Sequence, residues 1–339
     1  MKNPQVIGSR KKFGLIVGGS LLFLFVILFL IDVDVLLQLF RTTNWLYIAA
    51  ATLFLLGGYL LLTVRLRYIL LNRPGWWETF YANSIGYMLH ITVFAPAMIA
   101  RTASVGWITP ISVGRASTGI LLERLMEQLM RVSTGILVGA LAARMQTASD
   151  MPVGGGGFLL LIMFIAIYLV MRYRDQVADS LVSLLRHVPY LKEEQVRSTV
   201  TNMLEGLDAI NSTSRLVVCL LLSYATWAGF FIFQFLVLVA LPLDLPIDQM
   251  VLIAAVVLTV MPPSINVILI LYQVVVITLL VTFGLTDTTT ALVYAIILHL
   301  IQMLCWIVLG LWSARQAHVN FSELIQTVRQ TGATSEQST

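Results

Sequence analysis

The most unusual residues of this sequence are charged side chains in the middle of a long apolar segment, residues 116–141. Four such residues lie there: Glu123, Arg124, Glu127 and Arg131. A charged residue at the centre of a membrane-spanning helix costs about 2.5 to 3.5 kcal/mol on insertion scales, so these side chains cannot face lipid. Helical spacing places Glu123, Glu127 and Arg131 on one face, with Arg124 and Gln128 on an adjacent stripe. The segment is therefore predicted to line a polar interior.

Two kinds of chemistry fit this polar helix face. A guanidinium offers five hydrogen-bond donors and is the usual protein partner of phosphate, which favours a binding role for Arg124. Glu127 and Arg131 are explained equally well by ion pairs with each other and with neighbouring helices. The sequence leaves both interpretations open. Glu123 fits either one, as part of a binding site or as part of the structural ion pairs.

Further basic and polar residues precede this segment. Arg101 and Arg115 lie on either side of a short polar turn and are predicted to form the mouth of a phosphate site, with Arg124 deeper inside. Ordinary cytoplasmic anchoring of a membrane segment explains the same two arginines. Asn83 and His90 lie in the preceding apolar segment, where His90 either contacts a headgroup or packs as a neutral side chain.

The C-terminal half carries polar residues without charge. His299 lies in the middle of its last apolar segment and has the same two interpretations as His90. The neutral polar residues of this half are Asn266, Tyr272, Gln273 and Gln302. Gln273 and His299 are the two that we include among the candidate substrate-binding residues.

Motifs of covalent, nucleotide-dependent or metal catalysis are missing from the sequence. Cys219 and Cys305 lie in apolar segments, so neither a disulfide nor a metal framework is predicted, and no cofactor is expected. The exception is the pair Asp32 and Asp34 after the first apolar segment, where a membrane glycosyltransferase using a polyprenyl-phosphate sugar would carry its acidic residues. Acidic residues that simply end a helix are the simpler explanation.

The composition identifies the class of protein. Of the 339 residues, 58% are hydrophobic and only 11% are charged, whereas a soluble domain carries about a quarter charged residues. The long apolar segments are approximately 13–31, 45–63, 80–100, 116–141, 155–171, 215–241, 249–283 and 290–312. An all-α, polytopic integral membrane protein follows, and the net charge of +4, concentrated in loops, gives no surface for nucleic acid.

The distribution of basic residues constrains the topology. If every segment crossed the membrane once, the basic stretch after Arg172 would lie outside, against the positive-inside rule. A break near His90 lets the segment Tyr81 to Ala100 return to the cytoplasm, which places the loop with Arg65, Arg67 and Arg73 inside. Segment 13–31 follows basic residues and lacks a cleavage site, so it is predicted to be an uncleaved anchor with a cytoplasmic N-terminus.

The segment 249–283 is too long for one span and contains Met261-Pro262-Pro263-Ser264, which forbids a continuous helix. It is predicted to be a second hairpin, entering from outside. About six full spans and two opposed re-entrant or broken-helix hairpins result. The C-terminus is then predicted to be cytoplasmic, and the predicted location of the protein is the plasma membrane. Eight ordinary spans are the alternative.

The order of these segments predicts an inverted repeat within one transmembrane domain, residues 1–320. Residues 45–141 and residues 215–312 each consist of a span, a hairpin and a second span, and the two halves have opposite orientations in the membrane. Broken helices at matching positions of inverted halves are typical of transporters with a binding site near the bilayer midplane. Residues 172–214 are predicted to be a cytoplasmic amphipathic segment, and residues 321–339 a disordered tail.

The stretch from Tyr81 to Met130 resembles the transmembrane domain of the lysylphosphatidylglycerol synthase family, also called the flippase-like domain family. The residues that carry this resemblance are Asn83, Pro96, Arg101 and the pair Glu123-Arg124, followed by Pro262, Pro263 and Ser264 in the second half. His299 stands where the family has an arginine, and the family's glycine-rich and acidic signature around the hairpins is largely absent.

The resemblance implies a stand-alone translocase of a lipid or lipid-linked precursor, without synthase activity. Its partners would be membrane lipids, and the sequence does not define its oligomeric state. Two alternatives remain: a non-catalytic membrane scaffold, and the glycosyltransferase that would use Asp32 and Asp34.

Overall fold

The computed structural model describes residue 38 and residues 41–93, 97–144, 212–243, 245–263 and 269–319. Several predictions fall outside these residues. They are the spans 13–31 and 155–171, the amphipathic segment 172–214 up to residue 211, the tail 321–339, and residues Asp32, Asp34, Pro96, Ser264 and Asn266. The regular structure in the described part is entirely α-helical, which confirms the predicted fold class.

Eight helices make up the described part of the chain. They are α1 (Trp45–Ile69), α2 (Trp76–Val93), α3 (Ala97–Ile108), α4 (Val113–Arg144), α5 (Thr213–Ala240), α6 (Ile247–Val260), α7 (Leu269–Thr282) and α8 (Thr288–Gln316). Only α1, α4, α5 and α8 are long and apolar enough to cross a bilayer. Because α6 and α7 have 14 residues each, they measure about 21 Å and fall short of a hydrocarbon core of roughly 30 Å.

Helices α2 and α3 form the first hairpin, with both open ends beside the C-terminal end of α1. Val105 near the end of α3 and Ile111 in the following turn pack with Leu66 of α1 and with Leu70, the residue that caps α1. Helix α2 continues to Val93, so the break lies beyond the predicted position near His90. The physical reason is that His90 is compatible with a helix, whereas the proline at position 96 is not.

Helices α6 and α7 open at the opposite end of the molecule. The backbone N–H of Asn44, before α1, donates to the carbonyl of Ala240 at 2.8 Å, which places the end of α5 beside the beginning of α1. Helix α6 begins there, and its Gln249 side chain donates to the carbonyl of Leu285, between α7 and α8. The two pairs of short helices are therefore opposed.

Several contacts between helices recur in the two halves. Helices α2 and α6 pack against α8 and α4, respectively, and α3 and α7 pack against α4 and α8. Helices α1 and α5 cross so closely that a Cβ on Gly229 would lie 3.2 Å from Cα of Gly58. Exchanging α1–α4 with α5–α8 leaves these pairs unchanged, as an inverted repeat requires, but the close packing of α2 on α3 has no counterpart of similar extent between the described residues of α6 and α7.

The close approach within the first hairpin gives a testable prediction for Gly86. A Cβ at this position would lie 2.8 Å from Cα of Arg101, in the backbone of the opposite helix. We expect Gly86→Ala to lower stability by about 1 to 3 kcal/mol, because α2 and α3 must move apart. The matched control is Gly57→Ala, where a Cβ meets nothing within 4 Å. Melting temperatures in detergent measure both, and equal values would contradict the predicted clash.

Candidate functional site

The centre of the candidate site is Glu123, a completely buried carboxylate on α4. It accepts a hydrogen bond from Nη2 of Arg65 at 3.0 Å and another from Nη2 of Arg101. Glu127, one turn further along α4, lies 3.6 Å from Nη2 of Arg65 and accepts from Nη1 of Arg124 at 2.7 Å. We call these five residues the charged cluster.

Polar and aromatic side chains from other helices hold the charged cluster in place. Asn83 on α2 accepts from Nε of Arg101 at 3.0 Å and donates to Oγ1 of Thr63 on α1 at 3.2 Å. Nη1 of Arg65 donates to Oγ of Ser223 on α5 at 3.0 Å. The Cζ atom of Arg101 lies 4.8 Å from the centre of the Tyr87 ring. The cluster thus connects α1 through α5.

The charged cluster has an excess of positive charge. Its three guanidinium groups and two carboxylates give a net charge of one. Nε of Arg65, Nη1 of Arg101 and Oε1 of Glu127 are buried and have no hydrogen-bond partner among the described residues. A buried donor without an acceptor is costly, and a buried net charge more so. An anionic oxygen at this place would accept from the two guanidinium donors and balance the excess charge, while Oε1 of Glu127 would still need a donor.

Arg124 is the accessible member of the charged cluster. Its side chain is 19% exposed, whereas the other four are almost completely buried. Arg131 lies two turns along the same helix and is half-buried, with Nε and Nη2 not hydrogen-bonded to any described residue. An anion approaching this side of α4 would meet Arg124 first.

A second polar group lies in the C-terminal half. Nε2 of Gln273 on α7 lies 3.3 Å from Nδ1 of His299 on α8, and the Tyr272 ring centre is 4.6 Å from that of His299. Gln302 follows one turn further along α8 and is completely buried. We call Tyr272, Gln273, His299 and Gln302 the neutral cluster.

The structure divides the predicted site residues into three groups. Five of them come together in the charged cluster or against it: Asn83, Arg101, Glu123, Arg124 and Glu127. Gln273 and His299 bond to each other in the neutral cluster. His90 lies about two turns beyond Asn83 on α2, and Arg115 about two turns before Glu123 on α4.

The predicted phosphate-collecting mouth of Arg101 and Arg115 is wrong. The side chains of Arg101 and Arg115 are only 0% and 3% exposed, respectively. Arg101 is drawn inward because the buried carboxylate of Glu123 needs a cation to compensate its charge.

The residue that the sequence analysis missed is Arg65, which we had placed in a loop. It lies in the last turns of α1 and is 1% exposed. The available signal was that apolar residues continue beyond Arg65 to Leu71 with only Arg67 between them, since this pattern extends the helix past Arg65. Ser223, its partner on α5, is an isolated hydroxyl in an apolar segment and gives no such signal.

A helical bundle with long apolar helices, opposed pairs of short helices and a buried ion network is a polytopic membrane protein. The chain belongs to the family described as the lysylphosphatidylglycerol synthase TM region, whose family model matches residues 14–310. No curated protein and no solved structure matched the chain. Among the described residues, no group of three or more His, Cys, Asp or Glu side chains is arranged to hold a metal ion.

Proposed function

We propose that this protein is a flippase, which moves an anionic lipid or lipid-linked precursor between the two leaflets of the membrane. The observation that carries the proposal is the charged cluster, a buried ion network with one excess positive charge and unpartnered guanidinium donors. An anionic headgroup must cross a layer of low dielectric constant. A fixed cation in that layer lowers the barrier to its passage.

The opposed hairpins support an orientation of this site in the plasma membrane. The ring centres of Trp77, at the start of α2, and Trp312, near the end of α8, lie 6.2 Å apart. Both rings are exposed, as expected at a membrane interface. Arg67 and Arg315 end helices on this same side, whereas Asp287 begins α8 on the other. By the positive-inside rule, the first hairpin opens to the cytoplasm, where the C-terminal end of α8 also lies.

In the proposed mechanism, Arg124 receives the phosphate of the headgroup while the acyl chains remain in lipid. Glu127 holds the Arg124 guanidinium in position, and Arg65 and Arg101 supply a positive potential from behind it. Movement of lipid down its own gradient requires no energy source. The carboxylates keep the site from binding phosphate so tightly that release becomes slow.

The test is transport of a fluorescent phosphatidylglycerol in proteoliposomes, read by a quencher that reaches only the outer leaflet. We expect Arg124→Gln to slow transport at least tenfold, because a neutral amide binds phosphate weakly. The matched control is Arg144→Gln, an exposed arginine at the end of the same helix, which we expect to transport at the wild-type rate.

Two outcomes of this experiment would overturn the proposal. One is transport by the wild-type protein no faster than in protein-free vesicles, and the other is equal transport by Arg124→Gln and wild type. A membrane scaffold is the second candidate, because the ion network from Arg65 through Glu123 to Arg101 connects several helices. Loss of assembly without any change in lipid movement would favour it.

A further inference from the structure

We infer that Arg131 is a second phosphate-binding position on the outer side of Arg124, and that Glu127 pairs with one of these two arginines at a time. The headgroup phosphate then passes from Arg124 to Arg131 as it leaves the charged cluster. This inference rests on the proposed function and deepens it by assigning a path along α4. Three observations lead to it: the donors of Arg131, the position of Glu127, and the course of one stripe of α4.

Arg131 has a pair of unused hydrogen-bond donors. Its Nε and Nη2 atoms are buried and have no hydrogen-bond partner among the described residues. These two atoms form one edge of the planar guanidinium, and parallel N–H groups on one edge are the pattern that binds two oxygens of a phosphate. In Arg101 the same edge is occupied, because Nε donates to Asn83 and Nη2 donates to Glu123. The edge of Arg131 remains available for an anion.

The depth of Arg131 in the membrane requires a partner for its charge. The residue lies well inside α4 (Val113–Arg144), where an arginine that faces lipid is costly. Each guanidinium of the charged cluster forms an ion pair with a carboxylate. Within the described part of the chain, no carboxylate forms an ion pair with Arg131. An anionic ligand supplies the negative charge that is missing there.

Glu127 lies between the two arginines along α4. It follows Arg124 by three residues and precedes Arg131 by four, and both spacings bring side chains together on a helix. Oε2 of Glu127 accepts from Arg124 at 2.7 Å. Oε1 lies 3.6 Å from Nη2 of Arg65 and has no hydrogen-bond partner among the described residues. When phosphate binds Arg124, the carboxylate is released and pairs with Arg131 instead.

This alternation moves the phosphate in steps. Because one carboxylate neutralises one arginine at a time, the unpaired arginine is the one that attracts the anion. When Glu127 returns to Arg124, it displaces the phosphate and leaves Arg131 unpaired. The two positions are about 10 Å apart, since each residue of a helix advances it by about 1.5 Å. The phosphate therefore has a cation at both ends of the step.

The stripe of α4 that carries both arginines leads to the second hairpin. Its residues follow at spacings of four, three and four, which keeps them on one face: Arg124, Gln128, Arg131 and Gly135. Gln128 is exposed, and its amide can donate to a passing anion. A Cβ on Gly135 would lie 3.7 Å from Cγ2 of Thr259, near the end of α6. In the proposed orientation α6 enters from outside, so the stripe leads outward from Arg124.

The test measures two quantities for each variant. One is the affinity for phosphatidylglycerol in detergent, from lipid-dependent thermal stabilisation. The other is the saturated transport rate, which no longer increases with the phosphatidylglycerol content of the proteoliposomes. We expect Arg131→Gln to lower the saturated rate at least fivefold, because phosphate that leaves Arg124 has no second position to occupy. Arg131→Lys should recover part of this rate, since it keeps the charge but not the two-donor edge.

Glu127→Gln distinguishes a transfer between two positions from a general attraction of anions. Without the carboxylate both arginines are unpaired, so we expect the affinity for phosphatidylglycerol to rise at least threefold. The saturated rate should nevertheless fall at least threefold, because the phosphate is no longer displaced. A change in attraction alone would alter the rate only below saturation. A saturated rate of Glu127→Gln equal to or above that of the wild type would overturn the alternation.

Failure of this inference can be distinguished from failure of the proposed function. Arg144→Gln is the matched control, at the exposed end of the same helix. Equal saturated rates of Arg131→Gln and Arg144→Gln would overturn the second position and leave the flippase intact, even if Glu127→Gln does not fold. Absence of transport by the wild type would overturn both. Thermal stabilisation by inorganic phosphate but not by phosphatidylglycerol would identify a soluble anion as the ligand and would also overturn both.

Discussion

Replacing Glu123 with alanine is expected to prevent the protein from accumulating in a folded form. Glu123 is shared by Arg65 and Arg101, and all three side chains are almost completely buried. Removing one partner of a buried ion pair costs about 3 to 5 kcal/mol, and here one carboxylate serves two cations. That cost is a large part of the 5 to 15 kcal/mol that stabilises a typical folded protein. The yield of monodisperse protein in mild detergent measures the effect.

Two further variants show whether charge pairing causes this loss. Glu78→Ala is the control, because Glu78 is exposed and only caps the start of α2 through the backbone N–H of Gly75; we expect a normal yield. In the double variant Glu123→Leu with Arg101→Met, one unpaired cation is removed together with its partner. We expect it to recover part of the lost stability. A normal yield for Glu123→Ala would contradict the role assigned to this carboxylate.

The sequence was sufficient to predict which helix carries the buried charges and where the second hairpin is broken. Charged residues in the middle of segment 116–141 have no alternative to an interior position, because lipid excludes them. The paired prolines after Met261 forbid a continuous helix for a similarly local reason. Position 90 was less well predicted, since a histidine in an apolar segment does not by itself end a helix.

The partners of the polar helix could not be predicted in the same way. Periodicity shows which residues of one helix share a face, but not which residue of another helix lies opposite. Arg65 illustrates this limit: as a basic residue near the end of an apolar segment, it has the same pattern as an ordinary cytoplasmic anchor. Only the packing of α1 against α4 reveals that it contacts Glu123.

The same limit applied to Arg101 and Gln273. Both were recognised as candidates, but the sequence did not show that Arg101 bonds to Glu123 or that Gln273 lies beside His299. These contacts depend on how separate helices pack, which the periodicity within one helix does not define.

Replacing Arg65 with glutamine is expected to weaken the binding of phosphatidylglycerol by about ten- to a hundredfold while the protein still folds. The variant lowers the net charge of the cluster from one to zero, because Arg101 and Arg124 then balance Glu123 and Glu127. A unit charge roughly 6 Å from a phosphate contributes about 2 to 3 kcal/mol at an effective dielectric constant of about 20. Each carboxylate keeps one arginine, so stability should fall less than in Glu123→Ala.

The affinity of Arg65→Gln is measured by titrating the purified protein with phosphatidylglycerol and following its melting temperature. Arg73→Gln is the matched control, because Arg73 is exposed in the turn between α1 and α2. We expect it to bind like the wild type. If Arg65→Gln binds phosphatidylglycerol as tightly as Arg73→Gln does, the excess charge of the cluster does not attract the headgroup. The buried ion pairs would then be structural, because a network that recognises an anion must respond to the loss of one of its three cations.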